Sequence, residues 1–377
     1  MTIVFITNFI NHHQVHLADE FYRLIGGGYR FIETEPIPES FVKSGYPVYE
    51  RGYVVKAYAD EAQMQKARKL ALDADVVIIG SAPESFVTDR IAQKKLTFRY
   101  SERWFKSRPW FLTGPKGWIN FYRYHIRHND KPLYMLCASA FTAEDVNTIG
   151  AYKGKCFKWG YFTKVEDLDI ETITASEENL PRLMWCARFL KWKHPELPVM
   201  LADRLKRRGY SFVLDMFGSG EELENTRLLA KMLNVEDVVR FCGNCPNDEI
   251  LAQMRVHDMF LFTSDRNEGW GAVLNEAMSN GCTVVGSDRI GAVPFLIEDG
   301  VNGLIFKSES VDSLEDKVCS LLDDPQSRKM MARNAYLTMK DVWSAQNAAR
   351  GFLSLVEGIK NDDISLIPES GPCSKVR

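Results

Sequence analysis

The feature that most constrains this chain is an alternation that runs through both halves. Short apolar runs of strand length are each followed by an amphipathic segment of helical period. In the first half, TIVFITNF is read as strand one and QVHLADEFYRLI as a helix. YRFIET is strand two, a helix spans residues 60–73, and VVIIG, LTFRYSE and LYMLCAS follow as strands. In the second half, RLMWCAR, FVLDMFG, VVRFCG, MFLFTS, TVVGSD and LIF alternate with helical segments. A run such as VVIIG has no polar face to turn toward water, so it belongs in a sheet covered on both sides. Alternating strands and helices imply parallel sheets with helices on both faces, an α/β fold.

A length of 377 residues favours two domains, and 45% hydrophobic residues supply their cores. The polar stretch KVEDLDIETITASEENLP marks the boundary. One Rossmann-like domain is expected over residues 1–170 and a second over 181–340. A helix follows over 341–360, then a polar tail over 361–377 that is expected to be disordered. The net charge of -3 argues against a general nucleic-acid binder. No apolar run approaches the ~20 residues that span a bilayer. MTIVFITNF lacks a basic leader region and reads as a buried strand, so the expected location is cytoplasmic. The eight scattered cysteines read as reduced core residues. Cys242-x-x-Cys245 has no second matching pair, and His12 with His16 has no third ligand in view, so no metal is assigned to either. A dinucleotide-dependent dehydrogenase is excluded because strand one runs into NFINHHQ rather than G-x-G-x-x-G.

Chemistry concentrates in RNEGWGAVLNEAMSNG. Glu268 precedes a Gly-Trp-Gly turn, and Glu276 lies seven intervening residues later on the helix that follows. A glycine-rich turn opening a helix directs backbone N–H groups at an anion. A carboxylate beside it suits a ligand with both phosphate and hydroxyl groups. The plain alternative is that Glu268 caps the helix and Glu276 faces solvent.

Four blocks in order carry a resemblance: WCARFLKWKH, FVLDMFGSGEE, VVRFCGN, and EGWGAVLNEAMSNG with TVVGSD and GAVPFLIEDGVNGLIF behind it. Over most of residues 180–340 the chain resembles the retaining glycosyltransferases of GT-B architecture, the large group 1 family that includes sucrose and mannosyl-lipid synthases. The resemblance implies two Rossmann-like domains facing a central cleft, and a nucleotide-sugar donor as co-substrate. It also implies no metal or other cofactor, and an α-linked product. Helix AQNAARGFLSLVEGI resembles the terminal helix that crosses back to the first domain.

A leaving diphosphate gains negative charge and must be met by fixed cations or a metal. Arg188 and Lys193 match the family's Arg and Lys for that diphosphate. The D-x-D match Asp167-x-Asp169 lies in the boundary stretch and is read as chance. Glu268 matches the carboxylate against the donor sugar, and Glu276 the residue that binds ribose. The backbones of Gly269, Trp270 and Gly271 are expected near sugar and phosphate. The N–H groups of Ala272 and Val273 are expected to face the diphosphate. Gly218, and Gly243 with Asn244, match loops around the base, whose identity is not readable.

The first domain departs from the family pattern. His12 and His13 replace the usual Gly-Gly after strand one, as acceptor-side groups or as loop shapers. Glu102 stands, by strand order, where many relatives place a histidine. It is a candidate to accept the acceptor's proton or to stabilise charge on the sugar; the rival reading pairs it with Arg103 or Lys106. Residues 94–131 hold ten Lys and Arg against only Glu102 and Asp130, interleaved with aromatics including Trp104, Phe105, Trp110, Phe111, Trp118, Phe121 and Tyr122. That composition suits an anionic membrane surface, single-stranded nucleic acid, or a packed helix with solvated cations. With a glycosyltransferase, a glycan or lipid-linked acceptor at the inner membrane face is the reading taken, in surface polysaccharide or glycolipid synthesis. The alternatives are a sugar-nucleotide epimerase of the same architecture and a non-catalytic carbohydrate- or membrane-binding module.

Overall fold

The computed structural model describes residues 1–376 except 40, 41, 43–46, 107–113 and 172–179. Trp110, Phe111 and much of the expected boundary stretch lie outside the described residues. Two compact units result: Met1–Lys164 together with Trp343–Arg377, and Val165–Val342.

The first unit holds a seven-stranded, all-parallel sheet. Its strands are β1 (Ile3–Thr7), β2 (Tyr29–Glu33), β3 (Val54–Lys56), β4 (Val76–Ile79), β5 (Thr97–Ser101), β6 (Leu133–Cys137) and β7 (Cys156–Lys158). Their order is β3-β2-β1-β4-β5-β6-β7. Every residue of the central strands β1 and β4 is buried, as a sheet covered on both faces requires. The sequence reading missed β3 and β7. Both are three-residue strands at the sheet's margins, too short to show a period.

The second unit holds β8 (Arg182–Cys186), β9 (Val213–Phe217), β10 (Val239–Gly243), β11 (Met259–Phe262), β12 (Thr283–Ser287) and β13 (Leu304–Phe306). They form a parallel sheet in the order β10-β9-β8-β11-β12-β13. The order reverses direction between β8 and β11, which hydrogen-bond to each other. Loops leaving the carboxyl ends of strands at such a reversal border a crevice, the usual ligand site of an open α/β sheet.

Residues 361–376 of the polar tail are held against the first unit, where disorder was expected from composition. Helix Ala345–Asn361 is capped by Ser344 and packs Phe352 against Phe21, Phe98 and Trp159. Beyond it the chain returns to the margin strand β7. Lys158 N–H donates to Ser374 O at 2.7 Å, Cys373 N–H to Lys158 O at 2.7 Å, and Val376 N–H to Cys156 O at 3.1 Å. Cys373 is fully buried. Polar composition misled because this segment is held by backbone pairing along a sheet edge, which any non-proline residue supplies. No helix among the described residues is long and apolar enough to cross a membrane.

Candidate active site

Lys193 and Glu268 come together at the β8/β11 reversal. β8 ends at Cys186, and the chain makes a 3-10 turn over Lys191–Lys193. β11 ends at Phe262 and its loop carries Glu268. The Lys193 ammonium pairs with Glu268 Oε2, and both side chains are largely buried. Ser264 Oγ donates to the same oxygen at 3.0 Å. Lys193 also lies over the Trp192 ring, 4.3 Å from its centroid.

The turn is pinned to the loop from below. Thr263 Oγ1 accepts from Trp185 Nε1 at 2.9 Å and donates to Lys193 O at 2.7 Å. Asp265 N–H donates to Trp192 O at 3.0 Å. His194 follows in a left-handed conformation at φ 51°. Its Nδ1 contacts Glu196 Oε1 at 2.7 Å, and its Nε2 faces Asp265 Oδ2 at 3.6 Å. Burial alone would lower the imidazole's pKa, but the Asp265 and Glu196 carboxylates outweigh it and raise it to about 9. Thr263, Ser264, His194 and Asp265 were missed in the sequence reading. The signal for the first two was available: a hydroxyl pair directly after the apolar run of β11, at a strand's carboxyl end.

Arg188 lies on the same β8 loop and is exposed. Among the described residues no carboxylate pairs with it. It is a free cation one short loop from a paired one.

Glu276 sits in the first turn of helix Val273–Ser279, partly buried. Burial pushes its carboxyl up to about 7, against a smaller opposing hydrogen bond from Asn247. Cys186 is pushed up to about 12, first by burial and then by the charges of Glu276 and Cys245. These residues therefore lie near one another.

Trp270 is fully buried, with Nε1 donating to Asn275 Oδ1 at 2.9 Å, so it offers a ligand only its backbone. Gly269 joins it to Glu268, and Ala272 is the residue from which the Val273 helix starts. Gly271 has φ 91°, and a Cβ there would lie 2.4 Å from the Phe262 ring. Gly218 N–H donates to Gly243 O at 2.7 Å, and Asn244 Nδ2 to Ser219 Oγ at 2.9 Å, which ties the β9 and β10 loops together. A Cβ on Gly218 (φ 126°) would fall 2.0 Å from Ala187 O. Gly218→Ala is thus expected to cost about 2–4 kcal/mol of stability and to disorder the loop that carries Arg188. A denaturant melt within 0.5 kcal/mol of wild type would refute the close approach.

In the first unit, the loop after β1 is anchored by buried Glu33, whose Oε1 accepts from Ile10 N–H at 2.9 Å. The His12 and His13 rings lie 3.7 Å apart, and His13 stacks on Tyr161 at 5.0 Å. Burial, then neighbouring histidines, pushes His13 down to about 3, and burial also lowers His12. Both imidazoles are neutral at physiological pH and offer hydrogen bonds rather than charge. Glu102 accepts from Tyr161 Oη and from Lys106 Nζ, each at 2.6 Å. Each oxygen thus takes one donor and keeps a second lone pair for another. Arg103 instead faces Asp145.

Among the described residues, His194, Asp265 and Glu309 form the one group of three potential metal ligands. Asp167 of the D-x-D match pairs with exposed Lys340 at 2.5 Å.

Residues 169–338 match the family model of glycosyl transferases group 1. The chain is 25% identical over 201 residues to an uncharacterized glycosyltransferase of Methanocaldococcus jannaschii, covering 52% of this chain and 50% of that one. It is 24% identical over 314 residues to the UDP-N-acetylglucosamine–peptide N-acetylglucosaminyltransferase GtfA subunit of Streptococcus pneumoniae, covering 81% and 58%. It is 30% identical over 138 residues to the D-inositol 3-phosphate glycosyltransferase of Corynebacterium glutamicum, covering 37% and 32%. The chain thus spans between about a third and three fifths of these relatives' lengths. In structure it is similar to Anabaena HepE in complex with UDP, at a TM-score of 0.66 and 14% identity over 96% of this chain and 100% of that one. It is also similar to sucrose-phosphate synthase of Thermosynechococcus elongatus, at a TM-score of 0.65 and 12% identity, with the same coverage.

Proposed function

From the premise that residues 169–338 belong to the group 1 glycosyltransferases and that the two parallel sheets are a GT-B fold, we propose that this protein moves a sugar from a nucleotide-sugar donor to a glycan or lipid-linked saccharide, with retention at the anomeric carbon. The observation that carries the reading is the Lys193–Glu268 pair at the β8/β11 reversal, with exposed Arg188 on the same β8 loop as Lys193. In this reading the bond from the anomeric carbon to the diphosphate breaks while the acceptor oxygen bonds to the same face. The acceptor's proton passes to the departing phosphate oxygen. Arg188 grips phosphate oxygens through its planar fork, and Lys193 supplies a point charge. These two cations meet the leaving charge, so the reading requires no metal. Glu268 holds donor sugar hydroxyls, and Glu276 holds the ribose. Gly269 to Val273 line the phosphates, while Gly218, Gly243 and Asn244 border the base. His12 and His13 serve the acceptor side as neutral hydrogen-bonding groups. A lipid-linked acceptor would place the enzyme at the inner face of a membrane, in surface polysaccharide or glycolipid synthesis.

UDP-sugars are the first donors to test, because UDP is the nucleotide that the similar proteins' names carry. A panel of labelled sugar nucleotides is expected to give slow hydrolysis of one donor. Calorimetry separates the two glutamates. Glu276→Gln is expected to weaken nucleoside-diphosphate binding about tenfold or more, whereas Glu268→Gln spares that binding and impairs transfer. Equal loss of nucleotide affinity in the two variants would end this division of roles.

A further inference from the structure

The basic aromatic stretch 94–131 divides in the structure into two unlike parts. In the first, four cations are already in use. Lys95 Nζ donates to Leu72 O at 2.8 Å, and Arg99 grips Glu84 through two bonds of 2.6 Å. Arg103 is buried against Asp145 and the Phe141 ring, and Lys106 is bound to Glu102. Phe105 is buried too.

The second part is helix Pro115–Tyr124 with the 3-10 turn Ile126–His128 behind it. Its inner side is pinned by Phe121, which stacks on Trp104 at 5.5 Å. Its outer side is apolar and open: Trp118 is 45% exposed, Ile119 60% and Tyr122 61%. At 100° per residue these three fall within one arc of about 100°, with Lys116 and Arg123 beside one border; Arg127 lines the same face from the 3-10 turn. Those three cations have no carboxylate partner among the described residues. No Asp or Glu occurs between Glu102 and Asp130, and Asp130 lies beside Lys131. A shallow groove runs between Trp118, Ile119, Tyr122, Arg123, Ile126 and Arg127.

We propose that this outer face docks on an anionic lipid bilayer, with Trp118, Ile119 and Tyr122 in the interface and Lys116, Arg123 and Arg127 on lipid phosphates. Trp and Tyr favour the headgroup level because one end of each ring is apolar and the other wet. An amphipathic helix with a basic border lies flat there. Charge decides against a second copy of the chain, since facing copies would bring six like charges together. The proposal deepens the membrane clause of the functional reading, and its test needs no donor or acceptor.

The test is flotation with phosphatidylcholine vesicles, with and without phosphatidylglycerol. Wild type is expected to float with the anionic vesicles at low salt. It should be released as the Debye length contracts from ~10 Å at 0.1 M to ~3 Å at 1 M. Replacing Lys116, Arg123 and Arg127 by Gln should weaken binding about a hundredfold, from roughly a factor of five per cation. Replacing Trp118, Ile119 and Tyr122 by Ser should weaken it by about tenfold or more. Lys94→Gln, an exposed cation outside this face, should bind as wild type. Donor hydrolysis by each variant reports on the other unit, so a membrane failure and a catalytic failure are read separately. Failure of wild type to float would overturn the proposal. So would equal binding to neutral vesicles, undiminished binding by either triple variant, or a wild-type dimer that the Ser variant dissolves while no lipid binds.

Discussion

Lys193→Ala is expected to lower sugar transfer by about a hundredfold or more while the protein stays folded. A charge-assisted contact to a developing anion contributes roughly 2–4 kcal/mol in a site shielded from water. Lys193 is held by Thr263 and Asp265 through its backbone and turn, so its ammonium is aimed before any ligand arrives. Its removal has a second effect. Glu268 is largely buried, and among the described residues it keeps, without Lys193, only Ser264 as a side-chain partner. An unpaired buried carboxylate costs stability, of the order of 1–3 kcal/mol. The double variant Lys193→Ala with Glu268→Gln should recover much of that stability and none of the transfer. Initial rates and thermal melts on the three proteins check both parts. Normal turnover in folded Lys193→Ala would remove the residue from the site.

Glu276→Gln is expected to stabilise the protein at alkaline pH. The folded carboxyl is raised to about 7, above the 4.5 of an unperturbed group. Between those values the native state holds a proton that the unfolded chain has released. Stability therefore falls as pH rises through that window, and above 7 the full cost of the buried charge is present. A difference of about 2.5 units corresponds to roughly 3 kcal/mol. The glutamine variant carries no such charge. It should gain up to about 3 kcal/mol at pH 8 and nearly nothing at pH 4, while losing nucleotide affinity. Unfolding free energies at the two pH values decide the matter. An equal effect at both would show that the carboxylate's charge is not the source. The expected gain in stability with loss of binding is the signature of a group kept for a ligand.

The strands at the heart of each sheet were legible because burial on both faces forces a continuous apolar run. Arg188, Lys193, Glu268 and Glu276 stood out because each lies in a local pattern of strand, turn and helix. What could not be read was pairing across distance. Nothing near Lys193 in the sequence indicates that its ammonium meets a carboxylate 75 positions away. Nor does it indicate that His194 is held between Glu196 and Asp265. The cations of residues 94–131 look alike in sequence, yet Arg99 is buried on Glu84 and Arg123 is open. Composition counts charges, and only the fold says which are already neutralised. The tail failed for the matching reason, since edge pairing to β7 uses backbone groups that every residue has.

The return of residues 343–376 to the first sheet also sets an order of events during synthesis. The second unit, Val165–Val342, is whole once its last residue has left the ribosome. The first unit, begun earlier, must wait. Until helix Ala345–Asn361 emerges, Phe21, Phe98 and Trp159 lack the Phe352 ring that covers them, and β7 presents a bare edge. The half translated first is therefore the half that matures last. A nascent chain stalled near Val342 carries one finished domain behind an open, adhesive one.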